Sequence, residues 1–399
     1  MADQPNLPLV SKAQLADAVE RERKRASVRP LDLSFNELAD MHAQNELQIT
    51  PEYQRTFRWS ETKQSQFIES IILEMPVPPI YTVEVGEAQW ELIDGLQRLS
   101  SYLSFRGQLK GPDPDKPEEA DDPTKWTLRP PLRLTGCDIL HELNGYLFED
   151  LGTALQHRVR RATLRVEVVR RESNPRFAYY MFQRLNSGGE PLSEQETRNC
   201  AIRILGTEFN AFLIRLKTDE NFRLCIDDLS EEAVRRMQDV ELVLRFFAFK
   251  NNLAAYVHDI EPFLTEYMER VTDTTSPARI LFDYPAEENL FRTTFRVLAK
   301  TLGTNACRRY VPARHNYGGG FSTSHFEAFS IGLARVITES PQTFPDPLPQ
   351  ATAQSLTAHL TEAKKQPELK DLTTGGGKNF RRIYERKIEL VAEQVRKVL

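Results

Sequence analysis

Strand-like alternation is confined to the first half of the chain. The runs Tyr81–Asp94 (YTVEVGEAQWELID) and Arg158–Arg171 (RVRRATLRVEVVRR) alternate apolar and polar residues, the period of a half-buried strand. From Ser187 onward the apolar residues recur almost entirely at three- and four-residue spacing. One sheet cannot run the length of a chain written this way. The pattern predicts an α+β fold in three parts: a charged N-terminal helix or arm over residues 1–30, a small mixed-sheet domain with helices over 31–185, and an all-helical domain over 186–399.

Local signals refine the picture. SKAQLADAVERERKRASVRP predicts a helix that ends before Pro30, and Ser34 with Glu37 predicts a capping box at the start of the next helix. SETKQSQFIESIILEM predicts an amphipathic helix with Phe67, Ile71 and Met75 on its apolar face. Tyr81–Asp94 predicts a hairpin turning near Gly86, and the acidic, proline-rich stretch at 111–125 predicts a surface loop. SEEAVRRMQDVELVLRFFAF, SHFEAFSIGLARVITE and NFRRIYERKIELVAEQVRKVL each predict a helix.

Composition excludes several functions. The 399 residues are 40% hydrophobic and 27% charged with a net charge of −5, so uniform attraction to nucleic acid is not expected and only a local basic groove could provide it. No apolar run approaches a membrane span and the N-terminus lacks a signal-peptide core, which predicts a cytoplasmic protein without membrane contact. Cys137, Cys200, Cys225 and Cys307 form no CxxC pair and read as reduced structural thiols; the seven histidines are dispersed, with no HExxH.

Three polar clusters stand out. In WELIDGLQRLSS, Asp94 could cap a helix with Gln97 reaching back from its third position, over a buried stripe of Leu96, Leu99 and Leu103. The cap requires neither Gly95 nor Arg98. Glycine admits a close approach to the backbone, a helix N-terminus attracts anions, and an arginine clamps phosphate. In PEYQRTFRW, the aromatics could anchor a loop while the arginines snorkel outward, or Tyr53 and Phe57 could stack on a base while Arg55 meets phosphate. In FQRLNSGGEPLSEQETRN, Gly188 and Gly189 turn the chain between two helices, Ser193 and Glu196 form a capping box, and Arg184, Asn186 and Arg198 add donors. TTGGGKN lacks P-loop spacing.

Taken together and in this order, the three clusters resemble the ParB/sulfiredoxin-like domain at the N-terminus of GmrSD-type, modification-dependent restriction enzymes and related phage-defence proteins. PEYQRTFRW is similar to that family's Pro-x-Tyr-Gln-Arg segment, LIDGLQRLSS to its Asp-Gly-Gln-Gln-Arg signature, and FQRLNSGGEPLSEQETRN to its Arg-Leu-Asn-Ser-Gly-Gly block. The resemblance implies a nucleoside triphosphate site with Mg²⁺. Asp94, Gln97 and Arg98 would be its catalytic residues, Asp94 would hold the metal, and Arg55, Gly95, Arg184, Asn186, Gly188, Gly189 and Arg198 would bind nucleotide. Tyr53, Gln54, Phe57 and Arg58 would contact DNA or a base. Leu96 departs from the signature's first glutamine, which bears on hydrolysis more than on binding.

The expected function is that of a nucleotide-binding, nucleotide-hydrolysing regulator of a bacterial DNA restriction system. The alternative is a sensor of modified DNA that controls a partner nuclease, and self-association is compatible with either. Relatives often continue into a His-Asn-His nuclease domain, whereas the sequence reaches Leu399 with only His315 and His325 in an unsuitable frame. Cleavage is therefore expected on a separate chain, docked on the helical domain near Lys387, Arg396 and Lys397.

Overall fold

The computed structural model describes residues 11–24, 27–49, 57, 59–111, 125–170, 180–181, 193–311, 316–375 and 379–398. The chain divides into two compact units, Met1–Pro191 and Leu192–Leu399.

The first unit carries the sheet. Its described elements are α1 (Lys12–Lys24), β1 (Val28–Ser34), α2 (Phe35–Ala43), β2 (Leu47–Gln48), α3 (Glu61–Ile72), β3 (Ile80–Gly86), β4 (Gln89–Asp94), α4 (Leu96–Phe105), β5 (Lys110–Gly111), β6 (Thr127–Leu128), α5 (Thr153–Arg161) and β7 (Thr163–Val169). Five strands form one mixed sheet in the order β1-β7-β3-β4-β2. β1 pairs with β7 and β3 with β4 in antiparallel fashion; β3 runs parallel to β7, with Ile80 opposite Val166. The expected hairpin is β3–β4. Two short strands, β5 and β6, pair separately.

The core joins the sheet to the helices. Leu164, Val166 and Val168 of β7 are buried, as are Phe35 and Leu38 of α2, Ile68 and Ile71 of α3, and Leu99, Tyr102 and Leu103 of α4. Phe35 stacks on Tyr102 at 5.0 Å and meets Phe67 edge-on at 6.0 Å, so the three helices share one aromatic contact.

Several local expectations are corrected. α1 ends before Pro30 as expected, at Lys24, but Pro30 itself lies within β1, an edge strand where its missing N–H is tolerated. Arg158–Arg161 are the last turn of α5, not the start of a strand. α3 ends at Ile72 because Glu74 takes a left-handed φ of 58°, leaving Met75 39% exposed and off the apolar face. The Ser34 hydroxyl does accept the Glu37 N–H at 3.1 Å.

The second unit is helical apart from a small hairpin, β8 (Arg309–Val311) with β9 (Asn316–Gly318), which no alternation announces. Its described helices are α6 (Glu194–Ile202), α7 (Glu208–Leu216), α8 (Glu220–Cys225), α9 (Glu231–Arg235), α10 (Gln238–Asn252), α11 (Ile260–Thr272), α12 (Tyr284–Thr301), α13 (Thr323–Glu339), α14 (Gln350–Lys365), α15 (Pro367–Thr373) and α16 (Arg381–Arg396). The single helix expected over Ser230–Phe249 is two, α9 and α10, divided at Met237 with φ 59°. The Ser193–Glu196 capping box is formed.

Charges thread this core. Arg198 pairs with Glu241 (2.7 Å), Glu241 with Arg245 (2.9 Å), Arg245 with Glu327 (2.8 Å), and Glu327 with Lys387 (2.6 Å), linking α6, α10, α13 and α16. Lys387 is therefore buried, which removes it from the expected docking surface. Arg396 is engaged by Glu339 and Glu389, and Lys397 by the Gln394 side chain.

Candidate functional site

β4 passes into α4 through Gly95. Leu92 and Ile93 before the corner and Leu96 and Leu99 after it are buried, so the corner is held by the core on both sides. Gly95 has φ 107°, and an added Cβ would stand 2.2 Å from Ile80 Cγ2. The glycine is thus dictated by its left-handed backbone and by Ile80, without reference to any ligand.

That turn undoes the cap expected from Asp94 and Gln97. Gly95, not Asp94, is the N-cap of α4, and it makes no side-chain cap hydrogen bond. Asp94 instead accepts a hydrogen bond from Arg98 Nη2 at 2.8 Å; the same nitrogen also donates to the Pro79 carbonyl at 3.2 Å. Gln97 turns to the preceding loop, where its Oε1 accepts the Trp59 N–H at 3.1 Å. The Trp59 carbonyl in turn accepts from Gln64 Nε2 at 2.7 Å, and its ring meets Phe67 edge-on at 5.8 Å. The side chains of Arg98 and Asp94 are 16% and 24% exposed, so Arg98 is not the free surface group its first-turn position suggests. Its Nε is buried without an acceptor.

The corner therefore combines three features: a helix start whose N-cap glycine supplies no side-chain cap, a guanidinium at the same end, and a carboxylate that neutralises it. Such an end attracts anions. Trp59 and Pro79 are participants that the three clusters did not assign to this corner. Pro79 had a signal: it closes a PVPP run directly before the strand that packs under Gly95.

The remaining expected residues are divided. Phe57 is half-buried in the first unit. Tyr53, Gln54, Arg55, Arg58, Arg184, Asn186, Gly188 and Gly189 lie outside the described residues, as does His315. Arg198 belongs to the second unit, 2% exposed, with Nε on Gln195 Oε1 at 3.0 Å and Nη2 on Glu241. Burial pulls its pKa below the ordinary arginine value, with Glu241 opposing. His325 is buried at the start of α13, 3.1 Å from Ser322 Oγ, and burial pushes its pKa down to about 2. It is a neutral cap-turn residue. Among the described residues no group of three or more His, Cys, Asp or Glu side chains is arranged to hold a metal ion. One carboxylate suits a Mg²⁺ carried largely by phosphate oxygens, and Asp94 supplies one.

Residues 35–203 match the family model described as GmrSD restriction endonuclease, N-terminal domain. The chain carries a GmrSD N-terminal domain. A domain of this kind indicates a restriction and phage-defence protein family. Neither a curated protein nor a solved structure matches the chain. The GmrSD N-terminal domain takes in β2, β3, β4 and β7 and the whole Asp94–Arg98 corner. Among the described residues, no helix is long and apolar enough to cross a membrane.

Proposed function

We propose that the protein binds and slowly hydrolyses a nucleoside triphosphate with Mg²⁺, and that its nucleotide state regulates a DNA restriction or phage-defence system. The observation that carries this reading is the Arg98–Asp94 pair beside the glycine-capped start of α4. Phosphate oxygens would meet the N–H groups of that helix start and the Arg98 guanidinium, two forms of anion recognition with the same polarity. Asp94 would then hold the Mg²⁺, which supplies charge neutralisation to the phosphates. Gln97 fixes the Trp59 segment beside the corner. The resemblance adds Arg55, Arg184, Asn186, Gly188 and Gly189 as lining. In this reading DNA cleavage belongs to a partner chain.

Calorimetric titration with each triphosphate tests this, together with phosphate release. Arg98→Ala is expected to weaken binding by about 1.5–3 kcal/mol, the scale of charge-assisted hydrogen bonds. Asp94→Asn is expected to abolish the Mg²⁺ dependence while leaving metal-free nucleotide binding. A folded Arg98→Ala protein with wild-type affinity would refute the site. Salt-dependent DNA binding with no nucleotide uptake would favour the sensor reading, with Tyr53, Gln54, Phe57 and Arg58 as contacts.

A further inference from the structure

At the opposite end of α4 two arginines meet over one ring. Arg106, directly after α4, places its guanidinium carbon 4.6 Å from the centroid of Phe148; Arg160 of α5 places its own 5.4 Å from the same centroid. Arg106 Nη1 donates to Asn36 Oδ1 at 3.1 Å and to the Tyr102 hydroxyl at 2.8 Å. Both guanidinium groups act on that phenol, opposing the rise that burial gives its pKa.

Neither arginine has an ion-pair partner among the described residues, whereas Arg98, Arg158 and Arg165 in the same unit each have one. Asp40 reaches Arg106 only through Asn36, whose amide donates to it at 2.7 Å. The Nε atoms of both Arg106 and Arg160 are buried without an acceptor.

Ordinary packing explains part of this arrangement. Both residues lie at helix C-termini, where a cation is worth about 0.3–1 kcal/mol, and stacking on an aromatic ring adds about 0.5–2 kcal/mol. Those terms account for one cation at each end. They leave two desolvated donors unsatisfied and two like charges on one ring without an ion-pair partner among the described residues, an arrangement that an oxyanion with several acceptors would complete.

We propose that Arg106 and Arg160 form a phosphate-binding site on the first unit, separate from the Asp94–Arg98 corner. The two sites flank the ten residues of α4, a separation of about 15 Å along its axis. Phe148 is engaged by both guanidinium groups, so recognition is of phosphate and not of a base. The phosphate can belong to a polynucleotide backbone or to a free phosphorylated ligand. The proposal does not rest on nucleotide binding at the corner.

The test uses the full chain, a short fluorescein-labelled DNA duplex and, separately, inorganic pyrophosphate. Arg160→Gln removes a side chain that makes no hydrogen bond among the described residues, so the variant should stay folded, its melting temperature lowered only by the lost stacking and helix-end contributions. Affinity for at least one probe should fall roughly tenfold, the worth of one lost charge-assisted contact. Arg29→Gln, an equal charge loss on β1, should leave both affinities near wild type. If the duplex is the ligand, the slope of log affinity against log salt should shrink by about one in Arg160→Gln. Loss confined to pyrophosphate assigns the site to a free phosphorylated ligand. Should the glutamine variant fail to fold, Arg160→Lys, which keeps the charge and loses the planar fork, should bind more weakly than wild type. Unchanged binding of both probes in a folded variant, or an equal loss in Arg29→Gln, overturns the proposal.

Discussion

At Gly95 two constraints coincide: a φ of 107° and an Ile80 methyl 2.2 Å from where a Cβ would stand. Gly95→Ala should therefore cost about 2 kcal/mol or more, from left-handed strain and the clash together. Urea denaturation measures it; a cost under about 0.5 kcal/mol, the level of an indifferent surface change, would show that the corner relaxes freely. The composition of this corner was legible in the sequence, and so was its place between a strand and a helix. Its hydrogen bonds were not. Asp94 and Gln97 stand three apart, the spacing of a cap, but the glycine between them takes a backbone state set by Ile80 on the neighbouring strand. A contact between strands leaves no trace in the spacing of Asp94, Gly95 and Gln97. The Arg98 acceptor at Pro79 is hidden for a related reason, since it lies nineteen residues earlier in the chain, before the hairpin.

Individual helices were easier to read than their ends. α13 and α16 follow from apolar spacing alone, because a helix that buries one face repeats that face. The breaks at Glu74 and Met237 do not, since both are non-glycine residues in left-handed conformations. α13 carries a titration that can be measured. His325 is buried at its first turn, stacked against Phe329 and surrounded electrostatically by Lys364, Arg309 and Lys387, which add to the downward push of burial. Its folded pKa of about 2 lies below the ordinary 6.5, so the unfolded chain binds the extra proton. The stability it contributes is fully present above pH 6.5 and declines as pH falls toward the folded value. Each pH unit below that point should cost about 1.4 kcal/mol relative to His325→Gln, in which the residue no longer titrates. Chemical denaturation of the two proteins across mildly acidic pH provides the comparison, and parallel stability curves would contradict it.

Across the second unit, the chain Arg198–Glu241–Arg245–Glu327–Lys387 alternates in sign through four helices. Glu327→Gln would leave Arg245 and Lys387 sharing a neutral amide in the core, an expected loss of about 3–5 kcal/mol. Replacing the Glu327–Lys387 pair together by apolar residues of similar size should recover much of that loss, and equal instability of the single and double variants would show that the pair is not the relevant unit. The burial of Lys387 is not legible in its own helix, because it depends on Glu327, a partner sixty residues away in the chain. The family match runs to residue 203, while the first compact unit ends at Pro191. α6 thus lies inside the residues that match the GmrSD N-terminal domain but folds with the helices that follow it. Recombination at the edge of the shared sequence would strip Arg198 of Glu241 and strand a guanidinium in a severed core. The family match and the fold thus divide the chain at different places.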